Sequence, residues 1–357
     1  MTDSLPARSV LASRRDELAE SIVSVHYGRD PEMSARHGDA GRAKCLQDVR
    51  HHLDTLSEAV RDGGAPLFEA YLAWVKVLLE SLGVPGTDLA GSLQVTREVL
   101  AAELPEAERR RPLELLDAGL RRLPSMPAGV PTFLAESGPL APIASAYLDA
   151  LLRGDRHTAL RMVTEVVDGG VSVREVYLQV FQPAQREIGR LWQTRRITVA
   201  QEHYCTAATQ LVMATLYPRL FASPRPRLGW AFVGTCVSGE LHEVGLRMVA
   251  DMLEMDGWDT TYLGANTPAD AVVRMLAERR ADVLGISATI ASHVGHVEEL
   301  IGAVRASEVG GRVRVMVGGH PFRTAPGLWR ALGADGSADD AEGAVAAARS
   351  LVGGDAA

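Results

Sequence analysis

From residue 226 onward, short apolar runs alternate with stretches whose apolar residues recur at helical spacing. Residues 230–237, 258–263, 283–287 and 313–317 read as strands, with helical patterns over 244–255, 268–280 and 294–306. A short strand near 334–338 and a helix over 341–351 complete five strands. Strands spaced by helices need crossover connections, so this pattern predicts a Rossmann-like parallel sheet that binds ligands beyond its carboxyl edge. No G-x-G-x-x-G follows the first strand, which argues against a dinucleotide site. Upstream, residues 143–216 are helical by period. Leu148, Leu151 and Leu152 share one helix, 158–167 forms a second closed by Asp168-Gly169-Gly170, and 173–192 a third. A fourth runs from the capping-box pair Thr198 and Gln201 to Leu216, which makes a four-helix bundle. Residues 1–122 are also helical, over about 8–26, 39–61, 66–82, 87–104 and 106–122. On the second of these, Leu46, Val49, Leu53, Leu56 and Val60 form one face, Cys45 and His52 lie on its flank, and His51 points away. Proline-rich stretches at 123–142 and 217–227 read as linkers. The expected fold is therefore α/β plus α. An all-helical domain (1–122) and a four-helix bundle (143–216) precede a five-stranded parallel Rossmann-like domain (226–357).

A length of 357 residues suits two or three domains. The net charge of −8, without a run of five or more Lys or Arg, excludes a strongly basic nucleic-acid-binding surface. Arg109, Arg110 and Arg111 are flanked by acids and read as a solvated helix face. The three cysteines, Cys45, Cys205 and Cys236, are widely spaced and form no CxxC, which points to a reducing compartment. No 18-residue apolar stretch and no apolar leader are present, so the expectation is a cytoplasmic protein without membrane insertion.

The candidate chemistry begins on the loop after the first strand, in Glu240-x-His242-x-x-Gly245. A lone His-x-x-Gly is more often an ordinary loop histidine. Here an acid two residues earlier and a glycine three after, on the loop that follows the leading strand, suit an imidazole offered to something lying over the sheet's carboxyl edge. The later strands end in Ser287-Ala288-Thr289 and in Gly318-Gly319, small residues that leave room for an extended group between strands. Taken together, these three sites resemble the Asp-x-His-x-x-Gly loop, the Ser-x-Thr and the Gly-Gly of cobalamin-binding domains, with Glu240 in place of the usual Asp. The resemblance covers about residues 226–357. It implies that His242 replaces the cofactor's own dimethylbenzimidazole as the lower metal ligand, that Glu240 orients it, and that Ser287, Thr289, Gly318 and Gly319 accommodate the nucleotide tail.

In the bundle, Trp192 is followed after nine residues by Glu202 and His203. Read alone, these are a core tryptophan and two polar helix residues. Their spacing resembles the Trp-x9-Glu-His signature of cobalamin-dependent light receptors, in which the Trp packs against an upper 5′-deoxyadenosyl group that the Glu and His help to hold. Gln193 stands where the DNA-binding receptors of that family carry a histidine, so the resemblance implies a lit state that is water-bound or ligated elsewhere, with His203 the candidate. Residues 1–122 show neither the strand wing nor the basic recognition residues of the MerR-type reader in those receptors. The stretch 41–60, with Phe68, Tyr71 and Trp74, instead resembles the N-terminal domain of photocobilins. That implies biliverdin as a second chromophore, with Arg42 and Lys44 for its propionates and His52 for its pyrrole nitrogens; a thioether through Cys45 is not required. The bland alternative for this domain is a helical interaction or dimerisation module. The expected function is an adenosylcobalamin photoreceptor without catalytic residues, acting as a homo-oligomer or through a signalling partner and not on DNA or membranes. The alternative is a corrinoid methyl carrier of a methyltransferase system. A radical mutase's small subunit is a third possibility, but those lack a helical cap in cis.

Overall fold

Helix dominates the first third of the chain because its apolar residues recur every three to four positions with few strand formers between them. The computed structural model describes residues 4–29, 31–134, 138–221 and 227–353; residues 135–137 and 222–226, within the two expected linkers, lie outside them. The chain forms two compact units. One comprises Met1–Ala128 with Thr289–Glu298 and His320–Gly333, and the other Gly129–Ala288, Glu299–Gly319 and Ala334–Ala357.

The first unit contains α1 (Ser4–Ser13), α2 (Arg15–Arg29), α3 (Pro31–Ala59), α4 (Ala65–Ser81), α5 (Gly86–Glu103) and α6 (Glu106–Arg122). Where the periodicity predicts one helix over 8–26, the structure has α1 and α2, meeting at Arg14; the Arg14 N–H to Val10 and Leu18 N–H to Arg14 bonds keep the junction tight. α3 starts earlier than expected, but Gly38 interrupts it in a left-handed conformation (φ 60°), and the regular part begins close to the expected residue 39. Val49, Leu53, Leu56 and Val60 are buried together as the apolar stripe requires. Charge is also buried in this unit. Arg61 donates to the buried Glu58 (2.9 Å) and the partly exposed Glu298 (2.8 Å), and Arg8 to the same two carboxylates (3.3 and 2.7 Å), so each carboxylate meets two guanidinium groups.

The second unit opens with α7 (Ala141–Leu152), α8 (Arg156–Asp168) and α9 (Val173–Val176), continues through a π-helical turn (Tyr177–Phe181) into α10 (Gln182–Gln193), and ends its bundle with α11 (Val199–Leu216). Asp155 caps α8 by accepting from Thr158 N–H, and both Ser172/Glu175 and Thr198/Gln201 form reciprocal capping boxes. The single helix expected over 173–192 is thus widened in its middle. Pro183 has no N–H and its ring would strike the carbonyl four residues back, and the wide turn immediately before it relieves that clash.

The sheet follows, with β1 (Ala231–Cys236), α12 (Val244–Met255), β2 (Asp259–Tyr262), α13 (Ala269–Glu278), β3 (Val283–Ser287), α14 (Val294–Ala306), β4 (Arg314–Gly318), α15 (His320–Thr324), α16 (Leu328–Ala331), β5 (Gly336–Ala338) and α17 (Ala341–Gly353). Strand order is β2-β1-β3-β4-β5, all parallel, as the alternation of strands and helices requires. The register sets Cys236, Ser287 and Gly318 side by side at the carboxyl edge. The order reverses at β1, so the loop after this strand lies at a topological switch point, where open α/β sheets bind ligands. Bundle and sheet share one core, in which Tyr147, Phe181, Phe232 and Met252 are buried, and a buried bond from the Tyr177 hydroxyl to Asp251 (2.7 Å) ties the π-helical turn to α12.

Candidate functional site

The loop 237–243 is folded around its acid. Glu240 is fully buried, and one carboxylate oxygen accepts from both the His242 backbone N–H (2.9 Å) and the His242 ring Nδ1 (2.5 Å). Because Nδ1 faces a carboxylate, it carries the ring proton, and Nε2 is left with the lone pair a metal needs. The hydrogen bond to Glu240 holds the imidazole above its usual basicity, burial opposes this, and the charge of Glu202 adds to the rise. The side chain remains 56% exposed, so the nitrogen-bearing edge is reachable. Two further groups brace the loop. Asn266, at φ 56°, accepts from Gly239 N–H (2.9 Å), and the Cys236 N–H bonds the Gly264 carbonyl (2.9 Å).

Gly245 lies in the first turn of α12, and a Cβ built there would meet nothing within 4 Å, an open flank beside His242. Gly319 is different: at φ 113°, a Cβ would lie 1.9 Å from the Ala288 carbonyl oxygen, so only glycine closes the turn after β4. Ser287 and Gly318 end adjacent strands as expected, whereas Thr289 is counted with the other unit. Two glycines on this face carried a signal that the motif reading passed over. Gly234 and Gly285 are register partners inside β1 and β3, and Cβ atoms on them would lie 2.9 and 2.5 Å from the Phe232 ring. Glycine inside a strand marks close approach.

On the bundle side, Trp192 is half-buried at the end of α10, and Glu202 and His203 occupy the first turn of α11. Glu202 accepts from the Thr206 hydroxyl (3.2 Å) and pairs with the exposed His203 ring through Nδ1 (2.6 Å). Two turns further along α11, the Gln210 side chain bonds Glu243, the residue after His242 (2.7 Å), so this helix packs beside the loop after β1. Gln193 is buried in the bundle.

The residues singled out in the first unit fall into two groups. On α3, Asp48 acts electrostatically on Cys45, His52 and Tyr71, and Lys44 pairs with it (3.0 Å). His52 is 5% exposed and bonds the Tyr71 hydroxyl through Nδ1 (2.7 Å); burial drives its basicity down to about 4, so the ring is neutral. Arg42 lies over the Tyr27 ring, 5.2 Å from its centre. Asp48 was not among the expected residues, although its place one turn before His52 could have suggested it. No group of three or more metal-ligating residues exists among the described residues, and no described helix is long and apolar enough to cross a membrane.

Comparison with known proteins agrees with this geometry. Residues 230–349 match the B12 binding domain family, residues 143–217 a second family of the same description, and residues 1–152 the Phycobilisome protein family. Dimethylamine corrinoid protein 3 of Methanosarcina acetivorans is 27% identical over 205 residues, covering 57% of this chain and 94% of that protein. The HTH-type transcriptional repressors CarH and CarA of Myxococcus xanthus are 29% and 36% identical over 188 and 128 residues, covering 51% and 35% of this chain and 60% and 42% of theirs. In fold, the chain is similar to the Methanosarcina barkeri monomethylamine corrinoid protein, with a TM-score of 0.52 at 20% identity over 58% of this chain and 97% of that one. The class is therefore a cobalamin-binding protein, built from a helical module and a Rossmann-like B12 binding domain. The residues present fit the group, with a presented Nε2 on a buried carboxylate's partner and, at the sheet edge, a glycine turn that any Cβ would block.

Proposed function

We propose that the chain is a light sensor that uses adenosylcobalamin, with a bilin as second chromophore in the N-terminal helices. When bound, the cofactor supplies a Co–C bond weak enough to be broken by visible light. The protein's own residues do the rest. His242 would hold the cobalt through Nε2 with Glu240 fixing its tautomer, Trp192 would shield the adenosyl group, and Glu202 would accept from its ribose. The observation that carries the reading is the spacing of Trp192 to Glu202 and His203, with Trp192 half-buried at the end of α10 and Glu202 in the first turn of α11. Emptying an upper pocket there forces bundle helices to repack, which a homo-oligomer interface or a signalling partner could read.

The phycobilisome-protein match over residues 1–152 supports the bilin half. The neutral His52 ring carries one N–H and one lone pair and shares Nδ1 with the Tyr71 hydroxyl, leaving Nε2 for a bilin, and Asp48 adds an acceptor for pyrrole N–H groups. Arg42 and Lys44 remain the cations for propionates.

The second reading is a corrinoid methyl carrier, favoured by the coverage of the dimethylamine corrinoid protein, 94% of its length. Dark titration with adenosylcobalamin and methylcobalamin, followed by green light, separates the two. The sensor requires tighter binding of the adenosyl form, a light-driven spectral change, and loss of the preference in Trp192→Ala; equal binding with no light response supports the carrier. Titration with biliverdin tests the bilin, for which a saturable red-shifted band weakened in His52→Ala is expected.

A further inference from the structure

Glu243, the residue after His242, opens α12 but makes no side-chain cap to its own helix. Its carboxylate is used elsewhere. One oxygen accepts from the Gln210 side-chain amide of α11 (2.7 Å), and the other from the hydroxyl of Tyr262 at the end of β2 (2.8 Å). Both donors are permanent. Gln210 does not titrate, and burial together with the carboxylate itself pushes the Tyr262 phenol far up, so it keeps its proton. Gly264, at φ 77°, lets the loop after β2 close on this group, since a Cβ there would stand 3.1 Å from the same carboxylate oxygen. Charge-assisted bonds of this kind are about twice as strong as neutral ones.

Gln210 stands eight residues after Glu202 on α11, with Thr206 midway and bonded to Glu202, so the three lie on one helix face. The same helix therefore holds the upper-face acid at its start and grips the neighbour of the lower ligand two turns later. We propose that Glu243 is a positioning residue that couples the group bound at Glu202 to the ligation of His242. A shift of α11 caused by filling or emptying the upper pocket is passed through Gln210 to Glu243, and from there along the backbone to the adjacent His242. This rests on the cobalamin reading, but not on light sensitivity.

The test is a double-mutant cycle in the dark, with adenosylcobalamin affinity measured for Glu202→Ala, His242→Ala and both together. Site-to-site couplings typically amount to about 5–150-fold. The expected result is a coupling factor of about fivefold or more in the native background, falling to within about twofold of unity in Glu243→Ala and in Gln210→Ala, with partial recovery in Glu243→Gln. Gln210→Ala removes the bond from the other side should Glu243→Ala fold poorly. In the cofactor-free protein, amide exchange over residues 239–245 should accelerate about tenfold in both variants, a readout independent of the cofactor. An unchanged coupling factor in both backgrounds, or unchanged exchange, overturns the role of Glu243; failure of native protein to bind adenosylcobalamin overturns the cobalamin reading instead.

Discussion

His242 and His52 are both held through Nδ1, yet they are opposite devices. His242 faces a carboxylate, which can only accept, so Nδ1 carries the proton and Nε2 presents its lone pair; His52 faces a phenol, which can donate or accept, so its partner does not fix the tautomer. The surroundings reinforce the contrast. Glu240 raises the basicity of a half-exposed ring, whereas burial lowers that of His52 to about 4. One arrangement leaves a ring nitrogen's lone pair presented, and the other makes a neutral hydrogen-bonding group that cannot carry charge at ordinary pH. Residue type says nothing about which is which. The partner does.

The largest effect is expected where the carboxylate is removed. Glu240→Ala takes away the acceptor for both the His242 ring and its backbone N–H, and dark titration should show cobalamin affinity down by about 10–100-fold, the usual cost of losing the group that orients a ligating imidazole. Affinity within about twofold of native would dissolve the contrast. Next comes acid stability. His52 titrates at about 4 in the folded state against 6.5 unfolded, so the unfolded chain binds more protons in that window. The stability that its neutrality confers is fully present above pH 6.5 and is lost as pH falls to about 4, up to about 3 kcal/mol in all. Denaturant unfolding of the cofactor-free protein at pH 7, 5.5 and 4.5 should show that slope, and His52→Asn should flatten it.

A smaller change tests the phenol. Tyr71→Phe leaves the buried His52 Nδ1 without its hydrogen-bond partner and should cost about 1–2 kcal/mol, read as a lowered denaturation midpoint. The smallest effect concerns His242 itself. Its folded proton affinity is raised, so it adds stability to the cofactor-free protein that is complete below pH 6.5 and disappears as pH rises through the folded value. Solvent screens the exposed His242 ring, and His242→Ala should lower stability only slightly at pH 5.5 and not at pH 8.

Much of this was legible in the chain. The parallel sheet followed from strands spaced by helices, and the loop, small-residue and cap motifs stood at readable spacings: Glu240 and His242, Ser287 and Gly318, Trp192 and Glu202. Glycine's roles were only half legible. Gly319 proved to be a position where a Cβ strikes a carbonyl and Gly245 one where it meets open space, although both were picked by motif alone. Nothing in the motif reading pointed to Gly234 and Gly285, because register between distant strands is invisible along the chain.

What the sequence by itself determined is what depends on near neighbours: helix and strand periods, the capping box at Thr198, and an acid two residues from a histidine. Tertiary structure alone decided the partners that lie far along the chain. It gave His52 to Tyr71, Glu243 to Gln210 and Tyr262, and Arg61 to Glu298, and it set the widened turn before Pro183 over Asp251 of α12. The reason is physical. Local structure follows from backbone sterics and spacing, whereas protonation, tautomer and exposure follow from whatever packing brings within about 3 Å of a ring nitrogen.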